Sequence, residues 1–129
     1  MQKAEVKSIL TRVWPALTET WFFDNNYYLP KYEELAKLVA VSEVRKERPT
    51  GEGFDYDDFA LQLHAEIKRN RHNPPWAFGE AFGNRFKGWP KLHMLNICVC
   101  PEGPVLIEPQ TGEIWTPNPS TDNVLFVRV

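Results

Sequence analysis

Apolar positions recur at three- and four-residue intervals in the first part of the chain and in short alternating runs in the last, a pattern that predicts helices followed by strands. Val6, Ile9, Leu10 and Val13 give one apolar face to a helix over Ala4 to Val13, which Pro15 closes. A second helix is predicted after Leu29-Pro30, where proline suits a first turn, and runs through Leu35, Leu38 and Val39 with Glu33 and Glu34 near its positive end. The charged run Glu43 to Arg48, followed by Pro49, Gly51 and Gly53, reads as a solvated loop. A third helix starts at Asp55 to Asp58, takes a cap from Asp55 or Asp57, buries Phe59, Ala60, Leu63 and Ile67, and ends over Asn70 to Pro75. Strands follow near Trp76 to Phe82, Lys91 to Cys100, Val105 to Glu108 and Val124 to Val129, and the turn Pro101-Glu102-Gly103-Pro104 makes the middle two a hairpin. One α+β domain over residues 1–129 is expected, with N-terminal helices packed on a C-terminal antiparallel sheet. The rings of Trp21, Phe22, Phe23, Tyr27 and Tyr28, between the first two helices, read as packing.

Composition narrows the class. A chain of 129 residues that is 43% hydrophobic and 25% charged is a soluble globular domain rather than a disordered one. A net charge of -2 supplies no global positive field, so nucleic acid is not expected as a partner. No apolar stretch approaches the roughly 20 residues of a membrane span, and the N-terminus lacks the order of a signal peptide, so no membrane association is expected. Cys98 and Cys100 are separated by one residue, on one face of a strand and poorly matched to disulfide geometry. Two free thiols fit a reducing compartment, and a cytoplasmic location is the expectation. The C-x-C pair has no second pair, and His64, His72 and His93 are not spaced to complete a zinc site; no metal or cofactor is expected. Whether Asp55, Asp57 and Asp58 hold a metal stays open, although capping uses at least one and the spacing is not that of a helix-loop-helix calcium site.

Ser8, Ser42 and Ser120 lie in no Gly-x-Ser-x-Gly turn, and there is no phosphate loop or dinucleotide fingerprint. His93 and Glu108 stand out instead. A hairpin turning at Glu102-Gly103 makes them neighbours across the ladder, where a carboxylate can hold the imidazole's tautomer and orientation. The same placement suits a half-buried strand histidine beside an acid. Cys98, Cys100 and Asn96 differ in parity from His93 and belong to the opposite face; only a bulge near Cys100 would bring its thiol round. Asn96 is expected to tie neighbouring backbone, and Trp76, Trp89 and Trp115 to line a cleft or pack on helices.

The phrases Phe54-Asp55-Tyr56-Asp57-Asp58-Phe59-Ala60, His93-Met94-Leu95-Asn96 and Leu106-Ile107-Glu108-Pro109-Gln110 follow one another in that order. This order resembles the papain-like C-terminal domain of a mushroom agglutinin and its phage and bacterial relatives, over about Pro30 to Trp115. The resemblance implies a papain-like fold with a cysteine nucleophile at a helix start, a strand histidine as base and a glutamate that orients it. A helix N-terminus stabilises a thiolate, which gives that placement its physical sense. His93 matches the base and Glu108 the orienting acid, but Tyr56 stands in the nucleophile's place. A phenol, with a pKa of about 10 against about 8.5 for a thiol, is the poorer nucleophile for acyl transfer. No glutamine precedes Tyr56 in the loop as an oxyanion donor, the glutamines being Gln2, Gln62 and Gln110.

The resulting expectation is a cysteine peptidase-like pseudoenzyme that leans away from catalysis. It would serve as a binding or structural protein in a phage or prophage setting, with a peptide or protein segment in the residual cleft. Two other readings stay open: an active hydrolase or acyl transferase in which His93 and Glu108 activate Cys100, Tyr56 or a bound water, and an unrelated α+β interaction domain.

Overall fold

Along the strand His93–Cys100, successive side chains enter two different cores, and the helices divide accordingly. The computed structural model describes residues 1–46 and 56–129, the side chains of Arg45 and Tyr56 excepted. Its helices are α1 (Lys3–Val13), α2 (Tyr32–Ala40) and α3 (Tyr56–Lys68), with a 3-10 turn at Val44–Lys46. Its strands are β1 (Glu19–Trp21), β2 (Phe78–Asn84), β3 (His93–Cys100), β4 (Gly103–Glu108), β5 (Glu113–Trp115) and β6 (Asn123–Arg128). The expected cap of the third helix at Asp55, and most of the expected loop around Pro49, Gly51 and Gly53, lie outside the described residues. Pro30 stands just before α2 rather than in its first turn: Lys31 is the N-cap, and its amide donates to Glu34 Oε1 at 2.9 Å.

The α+β class holds, but the sheet is mixed rather than antiparallel. Its order is β1-β6-β2-β3-β4-β5, and β1 runs parallel to β6 while the other neighbours are antiparallel. The two edge strands, β1 and β5, have three residues each, too few for alternation to register in the sequence. The hairpin forms as expected, with Cys100 opposite Gly103.

The helices cover both faces. Val6 and Leu10 of α1 pack with Ala77, Ala81, Leu95, Ile97, Val99 and Leu106. Leu35 and Val39 of α2 and Phe59, Leu63 and Ile67 of α3 pack with Phe78, Cys98, Cys100 and Ile107 on the other side. Parity along β3 and β4 sorts these residues, because adjacent strand residues point to opposite faces.

β2 and β6 approach each other closely at Gly79, where an added Cβ would lie 1.7 Å from the carbonyl oxygen of Arg128. That obstacle is backbone and cannot rotate away. Gly79→Ala is therefore expected to destabilise the domain by about 3 kcal/mol, the upper part of the usual range for overpacking, read from the urea midpoint at unchanged m-value.

Candidate functional site

His93 is the first residue of β3 and Glu108 the last of β4. Asn96 pairs with Ile107, so continuing the ladder by one pair sets Leu95 beside Glu108 and leaves His93 on the diagonal. The side chains meet there, His93 Nε2 lying 2.9 Å from Glu108 Oε2, both partly buried. Phe86 and Trp89 flank the imidazole edge-on, with centroids at 6.5 and 6.1 Å. Together with Leu95, Lys87, Glu113 and Trp115 these residues line an open cavity of about 240 Å³.

One buried acid holds the wall of this cleft. Asp122 Oδ1 accepts the amide of Lys87 at 2.8 Å, and its Oδ2 accepts the amide of Asn118 at 2.8 Å and Trp115 Nε1 at 3.3 Å. The turn it anchors takes left-handed backbone at Arg85 (φ 59°), Lys87 (φ 54°) and Gly88 (φ 83°). From this turn Lys87 extends its Nζ over the Trp115 ring, 4.8 Å from the centroid, and pairs with Glu113.

Tyr56, the residue at the nucleophile's place, opens α3; its side chain lies outside the described residues. One turn further on, the carbonyl of Ala60 accepts Asn96 Nδ2 at 2.9 Å, which ties the start of α3 to β3 three residues from His93. Asn96 Nδ2 also donates to the carbonyl of Gly79 at 3.0 Å, so this residue braces backbone as its parity implied. Cys98 and Cys100 are buried on the α3 side and pair one-to-one with Val105 and Gly103, without the bulge that would turn either towards His93. Burial pushes the Cys98 thiol well above its ordinary value. The aromatic cluster is only partly packing: Tyr27 is buried and donates to the carbonyl of Val129 at 3.0 Å, whereas Trp21 and Phe23 are 52% and 57% exposed. Of the three later tryptophans Trp76 is buried, Trp115 half-buried and Trp89 exposed on the cleft rim.

A second histidine–carboxylate pair went unseen in the sequence. His64 Nδ1 of α3 lies 2.5 Å from Glu80 Oε2 of β2, and Glu80 Oε1 accepts Arg128 Nη2 of β6 at 2.7 Å. Glu80 is 2% exposed. Burial alone would raise its carboxyl, but the hydrogen bonds and charges of His64 and Arg128 outweigh it and hold the group below the ordinary carboxylate value. The partners stand 16 and 48 residues away in sequence, and no spacing rule links them. Among the described residues no group of three or more His, Cys, Asp or Glu side chains converges as a metal site, and Asp55 lies outside them.

Neither a family model nor a curated protein matches the chain. Among solved structures it is similar to a PSL1a-E64 complex at 21% identity and a TM-score of 0.76. It is likewise similar to Polyporus squamosus lectin bound to the human-type influenza-binding epitope Neu5Aca2-6Galb1-4GlcNAc, at 21% identity and a TM-score of 0.73. The fold is shared with part of that lectin chain. In each comparison 98% of this chain is covered against 49% of the other, so the chain spans about half the length of the structures it matches. Likeness at this identity establishes the fold alone. No helix of the described residues is long and apolar enough to cross a membrane.

The depressed carboxyl of Glu80 fixes the sign of one pH effect. Its stabilising contribution is fully present above the unfolded-state carboxylate value, near 4.3, and is lost as pH falls through the lower folded value. Glu80→Gln is expected to cost about 3 kcal/mol at pH 7, as breaking a buried ion pair does, and to flatten the fall in stability below about pH 4.3, both read from urea unfolding over a pH series.

Proposed function

We propose that this chain is a papain-like, cysteine peptidase-like domain that binds a peptide or protein segment and does not cleave it. The observation that carries this reading is the hydrogen-bonded His93–Glu108 pair on the wall of an open cleft, with both thiols buried beneath the opposite face of the sheet. Glu108 engages Nε2 and so orients the ring at the cleft wall. An imidazole and acid so arranged are half of a catalytic constellation. The half that attacks a carbonyl is replaced at Tyr56 by a phenol, a poorer nucleophile for acyl transfer than a thiol. The phage or bacterial setting belongs to the resemblance over Pro30 to Trp115, and the cytoplasmic location to the free thiols.

The glycan bound by the Polyporus squamosus lectin is not carried over, because this chain matches only about half of that protein. A hydrolase reading draws on the same pair, since an oriented histidine can deprotonate a water held in the cleft. The two readings part on the nucleophile.

Replacing Tyr56 by cysteine tests which holds. The wild-type protein is expected to capture members of a random peptide library without hydrolysing them, with His93→Ala weakening capture about tenfold, and to keep both thiols unalkylated at pH 6 until it unfolds. Tyr56→Cys is expected to add one rapidly alkylated thiol and a slow, His93-dependent peptide hydrolysis. Hydrolysis by the wild type that disappears in His93→Ala would make the protein an enzyme, and capture of glycans in place of peptides would remove the peptide partner.

A further inference from the structure

The His93–Glu108 cleft carries a cation of the protein's own. Lys87 Nζ lies 4.8 Å above the Trp115 ring and is ion-paired to Glu113 at the cleft wall. A ring face and a carboxylate together are a seat for a positive charge, since the ring quadrupole and the anion attract it from two sides. We infer that this cleft accepts a lysine or arginine side chain of a peptide ligand, and that Lys87 fills the seat while the protein is unliganded. The inference deepens the proposed binding function and rests on it.

Three features support an incoming cation. Lys87 and Glu113 are about half exposed, at 47% and 52%, and an exposed pair of this kind is weak and exchanges readily. The side chain can leave without dismantling the wall, because the backbone amide of Lys87 is held by Asp122 at 2.8 Å. When it leaves, Glu108 and Glu113 remain as carboxylates of the cleft, with His93 the one other titratable lining side chain among the described residues. Size agrees as well. A cavity of about 240 Å³ is below the roughly 300–1,000 Å³ of small-molecule pockets and suits a single side chain. Exposed Trp89 on the rim, with exposed Leu92 nearby in sequence, offers apolar surface for the aliphatic stem of that side chain.

The test uses the full chain and four blocked pentapeptides, glycine throughout except for a central Lys, Arg, Glu or Leu, titrated calorimetrically. The Lys and Arg peptides are expected to bind at least about tenfold more tightly than the Glu and Leu peptides. Lys87→Ala, which empties the seat, is expected to tighten them about fivefold, and Glu113→Gln to weaken them about tenfold. Equal affinity for all four peptides, or no response to Lys87→Ala, overturns this inference. If the peptides bind with no preference for a basic centre and His93→Ala still weakens them, the inference alone falls. If no peptide binds at all, the binding reading falls with it.

Discussion

β3 is hydrogen-bonded along both edges and covered on both faces, and the rest of the domain is arranged around that constraint. Its odd-numbered residues Leu95, Ile97 and Val99 meet the α1 side, while Asn96, Cys98 and Cys100 meet α2 and α3. A slip of one residue would exchange the two sets and bring the amide of Asn96 into an apolar core. In the observed register that amide satisfies carbonyls of Ala60 and Gly79, and so joins α3 to both central strands. The same register places His93 at the strand's open end, where it reaches Glu108.

Two histidine–carboxylate pairs among the described residues differ in access. His64 and Glu80 are closer together than His93 and Glu108, at 2.5 against 2.9 Å, yet Glu80 is enclosed and shared with Arg128. That triad fastens α3, β2 and β6 together, the work of a buried ion pair whose loss would strand a charge. The His93 pair stands on an open cleft lined by rings and a half-exposed ion pair. Identical functional groups thus stand enclosed in one place and open to a cleft in the other.

A fold shared with part of a lectin chain leaves the question of activity to individual positions. The cleft wall here is built by Asp122, which collects donors from the Lys87 turn, the Asn118 loop and the Trp115 ring and has no counterpart among the motifs of the sequence. Such an acid is found only through its contacts. Its low accessibility and its hydrogen bonds to three separate segments make it a support for the cleft wall.

Legible in the sequence alone were the three helices, the four longer strands β2, β3, β4 and β6, the β3–β4 hairpin, the meeting of His93 with Glu108 and the placing of both thiols on the other face. All of these rest on periodicity or on a short turn, where chain connectivity leaves few alternatives. The tertiary structure alone decided that β1 lies parallel to β6, with Thr18 and Leu125 bonded across 107 residues, and that α1 covers the face opposite α2 and α3. It alone also assembled the His64–Glu80–Arg128 triad and the Lys87–Glu113–Trp115 contact. These features join segments far apart in the chain, and local pattern holds no record of which distant partners packing will bring together.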